Sequence, residues 1–195
     1  MMHHAHQVLA TPTHHTPLSH EPFYMNVNSF TMHNAETDEH KAATIFPDQS
    51  DCFTFFITNT HSMYAQLAND PKTHYTLQNQ WNALKGVVPS DSIVRGFVYP
   101  NHDNELQIGL FDILRSEGLN QTHKDVLSRH ALLHSLYYAS PRELTLPIKM
   151  HWIGFESVCL DYLSKHVQDL PFKATSLLRI QNDPYVRILP SLPAY

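Results

Sequence analysis

Arg95 stands in the run Ser92-Ile93-Val94-Arg95-Gly96-Phe97-Val98-Tyr99, whose other members suit a buried strand. A guanidinium carried on such a strand offers planar, two-pronged recognition of a carboxylate, which a lysine cannot copy. An exposed, salt-bridged arginine would read the same way. Histidine is the other abundant chemistry-bearing side chain: there are 16, and eight of them (His3, His4, His6, His14, His15, His20, His33 and His40) fall in the first 47 residues. A metal site would want two ligands on one helix face, as in H-E-x-x-H, or interleaved cysteines. Neither pattern occurs, so the His-rich start reads as a polar extension, and no metal or other cofactor is expected. Cys52 and Cys159 are too few for a disulfide framework and read as buried thiols in a reducing compartment. There is no nucleophile elbow, Gly-rich phosphate loop or CxxC pair, and five glycines in the whole chain argue against a nucleotide-binding enzyme or an α/β-hydrolase.

The bulk properties narrow the class further. A length of 195 residues suits one domain plus an appendage, and 42% apolar with 16% charged residues is a globular composition. A net charge of −5 with only 13 Lys and Arg, none clustered, argues against nucleic acid as a partner. An anionic ligand would then have to be held by one or two local cations. No apolar run is long enough to span a membrane, and the N-terminus has no secretory h-region, so a cytoplasmic monomer is expected.

The elements that must position Arg95 follow from periodicity. Residues 1–47 mix Pro12, Pro17, Pro22 and Pro47 with His, Thr and Asn and read as a mostly irregular extension; the domain is expected over residues 48–195. Cys52–Ile57 reads as a short helix, and Thr60 as the cap of a second one, Ser62–Ala68, with Met63 and Leu67 on one face. Thr73–Leu84 alternates loosely and reads as a long strand. Ser92–Tyr99 and Glu105–Leu114 read as a hairpin around the turn cluster Pro100–Asn104. Asn120–Tyr138 is helical by the stripe Val126, Leu127, His130, Leu133 and Leu136, with Pro141 to stop it. Leu144–Trp152 is a strand candidate, Phe155–Val167 an amphipathic helix, and Ser176–Ile180 with Tyr185–Leu189 a closing hairpin. Hairpin-joined strands with inserted helices predict an α+β domain, an antiparallel sheet with helices packed on it.

Four segments, in order, resemble the chorismate lyase family, whose members release pyruvate from chorismate to give 4-hydroxybenzoate in the ubiquinone pathway. They are Phe56-Ile57-Thr58-Asn59-Thr60-His61-Ser62-Met63, then Val94-Arg95 followed by a polar turn and Glu105, then Leu132–Tyr137 with Ser140-Pro141-Arg142, and the ending Leu189-Pro190-Ser191-Leu192-Pro193-Ala194-Tyr195. The resemblance covers about Asp51–Tyr195. It implies a chorismate-lyase-like fold, Arg95 on the carboxylate of a small aromatic acid, and Met63 and Leu132 against its ring. As plain core residues, Met63 and Leu132 need no such role.

The chain also departs from the family. Val186 stands where the family has a glutamate that meets the far oxygen of the ring. Leu133 replaces a glycine, and a second family arginine falls near Leu110, with Arg115 reachable only through an insertion. Loss of a general acid costs about 10²–10⁴-fold in rate. The resemblance still favours a chorismate lyase, either using another acid such as Glu105, Glu143 or Glu156 or working as a slow or altered lyase; the alternatives are a protein that binds an aromatic acid without turnover and a purely structural or interaction protein.

Overall fold

The computed structural model describes residues 12–13, 42–60, 62–67, 70–77, 81–141, 147–180 and 186–188. Its strands are β1 (Pro12–Thr13), β2 (Ala42–Pro47), β3 (Asp51–Ile57), β4 (Met63–Leu67), β5 (Asp70–Thr76), β6 (Ser92–Pro100), β7 (Leu106–Ser116), β8 (Leu119–Asn120), β9 (Ile148–Met150), β10 (Gly154–Phe155), β11 (Ala174–Ile180) and β12 (Val186–Ile188). Its α-helices are α1 (Ala83–Val87), α2 (Val126–Ala139) and α3 (Glu156–His166). The large sheet has the order β1-β5-β4-β3-β6-β7-β8, with β9 added to β7, and the small sheet the order β10-β2-β11-β12. Among the described residues all pairings are antiparallel except β7 with β9. The fold is α+β, as the mixture of hairpins and inserted helices predicts.

The large sheet is covered on both faces. Phe53, Phe55, Ile57, Met63, Val94, Val98 and Leu110 enter one core with Trp81, Leu84 and Leu133. Cys52, Phe97, Tyr99 and Phe111 enter another with Ala43 and Ile45 of β2, Cys159 and Leu163 of α3, and Leu177 and Leu178 of β11. Alternation along a strand sends successive side chains to these two cores in turn. This explains why Asp51–Ile57 is strand and not helix. All seven of its residues are buried, and a strand covered on both faces shows a continuous apolar run without period.

Met63–Leu67 is likewise strand where the spacing predicts a helix. Met63 and Leu67 share a face at the i, i+4 spacing of a helix and equally at the i, i+2, i+4 spacing of a strand that includes Ala65. The predicted strand Thr73–Leu84 divides into the end of β5 and helix α1, with Leu77, Trp81 and Leu84 in one core. The helix predicted from Asn120 begins only at Val126. Asp125 caps it by accepting from Ser128 N at 2.9 Å, and Leu119–Asn120 pairs with β7 instead. Helix α3 and the β11–β12 hairpin match their expected positions. Of the strand candidate Leu144–Trp152, β9 is realised and residues 142–146 lie outside the described set.

The expected boundary after residue 47 falls inside the folded body. β2 lies between β10 and β11, in register from Ala42↔Ile180 to Pro47↔Ala174. Its Thr-Ile-Phe core is short and follows a polar stretch, so it carries too little periodicity to be recognised. Residues 14–41 of the predicted extension lie outside the described set.

Helix α2 is tied to the large sheet by charge as well as apolar contact. Arg129 donates from Nε to Asp112 Oδ1 at 2.8 Å and from Nη2 to Oδ2 at 3.2 Å, with both side chains 0% exposed. It also donates to Lys124 O at 2.7 Å, and His130 Nδ1 donates to Phe111 O at 2.8 Å.

Two outcomes test this architecture. A chain beginning at Asp48 lacks β2 and is expected to lose its cooperative thermal transition by circular dichroism. A melt within a few degrees of the full chain would show that the small sheet assembles without it. Arg129→Met strands a buried carboxylate and is expected to destabilise by about 3–5 kcal/mol in urea unfolding, whereas removing both charges (Asp112→Leu with Arg129→Met) recovers part of that loss. A single variant within 1 kcal/mol of wild type, on the order of a surface change, would contradict the role of the pair.

Candidate functional site

The family resemblance would gather Met63, Leu132 and Arg95 around one ligand; strand alternation separates them. Met63 is buried in the core that also receives Leu132 from α2. Arg95 is 1% exposed and sits in register with Thr54 of β3 and Asp112 of β7, on the face opposite Phe53, Phe55 and Val94. Its charge and that of Asp112 both act on Cys52, whose thiol burial pushes up to about 12. Arg95 therefore belongs to a buried polar row, Gln66–Thr54–Arg95–Asp112, that crosses four strands. Val186 pairs with Ile180 on β12, at the other sheet. Leu110 is core, and Arg115 is held by Asp91 at 3.2 Å.

The candidate acids are placed elsewhere too. Glu156 accepts from Arg179 Nε at 2.8 Å and Nη2 at 3.0 Å, which ties α3 to β11. Glu105 is exposed in the β6–β7 turn, and Glu143 lies outside the described residues.

A cavity of about 630 Å³ opens where the C-terminal end of α2, strand β9 and helix α3 meet. That is within the usual range for small-molecule sites. Its walls are largely aromatic: Tyr99, Tyr137, Tyr138, Trp152, Tyr162 and Phe172. Lys149 also lines it and has no ion-pair partner among the described residues. No described lining residue is a carboxylate. A second concavity of about 420 Å³ is rimmed by Thr58, Thr60, Ser62, Asp91 and Arg115. Its cation is already engaged by Asp91.

Three parts of the larger cavity's wall are fixed by backbone-directed bonds. Tyr137 Oη donates to Ile148 O at 3.1 Å, joining the end of α2 to β9. His102 Nε2 donates to Leu170 O at 2.7 Å and ties the β6–β7 turn to the segment carrying Phe172. His151 Nε2 donates to Ile45 O at 2.7 Å, and its ring stacks on Phe172 with centroids 5.2 Å apart. Burial lowers the His151 pKa to about 4, against the opposing pull of its bond to Ile45, so the ring is neutral at pH 7. Tyr99 and Lys149 carry no family signal. Lys149 and His151 are the alternate positions of the strand whose Ile148 and Met150 mark the apolar face, a pattern visible in the sequence but read only for its apolar half.

No protein-family model and no curated protein matches the chain. Among solved structures, it is similar to the ligase domain of M. tuberculosis LigD, with a TM-score of 0.52 and 13% identity over 80% of this chain and 55% of that one. The chain thus spans about half the length of the structure it matches, and at this identity the likeness is one of fold. Among the described residues no helix is long and apolar enough to cross a membrane, and no cluster of three or more metal-ligating side chains occurs.

The neutral state of His151 sets a pH dependence. Its folded pKa lies below its unfolded value, so the unfolded chain takes up the proton first as pH falls. Stability is full above about 6.5 and is lost progressively down to about 4, by an amount on the order of 3 kcal/mol. His130, also lowered by burial, adds to the same trend. Urea midpoints measured between pH 7 and 4.5 are expected to fall for the wild type and to fall less steeply for His151→Gln. Equal slopes would remove His151 as the cause.

Proposed function

We propose that the chain binds a small aromatic carboxylate in the cavity between α2, β9 and α3, without turning it over. The observation that carries this reading is a small-molecule-sized cavity walled by aromatic rings and lined by one cation, Lys149, that has no ion-pair partner among the described residues. Rings supply apolar area and stacking, and an unpaired ammonium next to them supplies the counter-charge for a carboxylate. The resemblance to chorismate lyases supports the same ligand class, with Lys149 in the place that the sequence assigns to Arg95.

Conversion of chorismate to 4-hydroxybenzoate and pyruvate is the stronger form of that resemblance. Elimination driven by aromatisation needs no cofactor, but it needs a group that assists loss of the enolpyruvyl ether. The described walls offer no carboxylate, and Val186 stands in the family glutamate's place. Binding without turnover is the form these walls support.

The likeness to a ligase domain favours a second reading, in which the same rings stack a nucleotide base and Lys149 meets a phosphate. Joining reactions run uphill and are commonly coupled to a nucleoside triphosphate. The absence of a Gly-rich phosphate loop in the sequence weighs against this reading.

Isothermal titration separates the alternatives. 4-Hydroxybenzoate is expected to bind, Lys149→Gln to weaken it by about tenfold or more, and chorismate to release pyruvate only at the blank rate. Heat with ATP and none with 4-hydroxybenzoate would favour the nucleotide. Pyruvate above the blank would restore the lyase, and no heat with any of them would remove the cavity from consideration.

A further inference from the structure

Tyr99 is 2% exposed and lines the cavity, yet its hydroxyl has no hydrogen-bond partner among the described residues. A phenol hydroxyl on a cavity wall without a protein partner is left to solvent or to a ligand. The ring that carries it is tightly placed. Its centroid lies 5.1 Å from that of Phe172 and 6.2 Å from that of His151, both at steep angles. Beneath it is Gly109, where a Cβ would stand 2.9 Å from Tyr99 Cε1 and 3.1 Å from His151 Nδ1. A glycine at this point of β7 is thus what allows the phenol its position. Gly109 is also the residue in register with Lys149 across the β7–β9 pair, about 4.8 Å away by strand spacing. The cation and the phenol therefore enter the cavity from neighbouring positions of one sheet.

We infer that Tyr99 is the specificity-determining donor of this site: its hydroxyl selects, among small aromatic carboxylates, those with an oxygen acceptor on the ring. The inference rests on the aromatic-acid reading above and adds what that reading lacks, a polar contact to a substituent of the ring besides its carboxylate. A ligand that fills the cavity displaces solvent from the phenol. A ring bearing an acceptor restores the lost hydrogen bond, and a ring bearing a methyl group in its place leaves the hydroxyl stranded. Sites built around such a donor discriminate strongly against analogues that lack the acceptor. Burial raises the Tyr99 pKa to about 12, so the phenol keeps its proton and remains a donor across the working pH range.

The test compares 4-hydroxybenzoate with 4-methylbenzoate, close in shape, by titration calorimetry on the full chain and on Tyr99→Phe. Wild type is expected to prefer 4-hydroxybenzoate by about tenfold, and Tyr99→Phe to reduce that preference to within about twofold. 4-Methoxybenzoate, which can accept but not donate, is expected to bind wild type better than 4-ethylbenzoate, a comparison that needs no variant. If wild type binds all four with equal affinity, or keeps its preference in Tyr99→Phe, the inference is overturned while the aromatic-acid site stands. If no benzoate binds wild type at all, both fall together.

Discussion

A carboxylate and a guanidinium lie wholly out of water between the large sheet and helix α2, and the rest of the molecule is arranged around keeping them paired. Asp112 and Arg129 meet through two bonds with no exposure on either side chain. Taking such ions out of water costs several kcal/mol each, about as much as their attraction returns, so the pair fixes geometry more than it adds net stability. What it fixes is the seat of α2 on β7, aided by Arg129 on Lys124 O and His130 on Phe111 O. Once that end of the helix is seated, its last turn delivers Tyr137 to Ile148 O and the tyrosines to the cavity.

The same constraint runs across the sheet. Gln66, Thr54, Arg95 and Asp112 stand side by side on four adjacent strands, all buried. A one-residue slip of any of these strands would carry its polar member into the apolar core on the other face and break the row. Register is therefore specified by polar pairing as well as by hydrophobic alternation. On the same face, beyond the row, Phe97 stacks on Phe111 and His151 on Phe172, and the two pairs meet edge to face between Phe97 and His151. His151 belongs to this stack only as a neutral ring, which makes the join between the sheets and the cavity wall sensitive to the same proton.

The sequence made the architecture more legible than the site. Ser92–Tyr99, the return strand, helix α3 and the closing hairpin follow from clear periods and turn residues. The errors at Asp51–Ile57 and Met63–Leu67 have one origin: a strand buried on both faces loses its alternation, and two residues four apart satisfy helix and strand alike. Arg95 is a guanidinium on a buried strand, as its neighbours in the sequence imply. Its surroundings were not readable, because they depend on Thr54 and Asp112, which are distant in sequence. Lys149 and Tyr99 were missed for a related reason. Each looks like the ordinary polar or aromatic member of a strand until pairing on either side of β7, at Gly109, brings them to one cavity.

Short motifs that share an order along two chains constrain the path of the chain, but a site requires side chains on the same face. Met63 and Arg95 show the difference: β4 and β6 are both neighbours of β3, yet the two residues sit at positions of opposite parity and face opposite cores. The likeness to a ligase domain is subject to the same limit from the other direction, since a shared arrangement of sheets leaves the walls of any cavity free to differ. What is particular to this chain is the combination at β7: a glycine that admits a phenol, a lysine in register beside it, and an aromatic wall held to the backbone by His151 and Tyr137. Those groups sit on paired strands and on bonded segments, so the sheet sets the backbone positions from which they extend. The described walls of that cavity thus present aromatic rings, phenol hydroxyls and one ammonium, and no carboxylate.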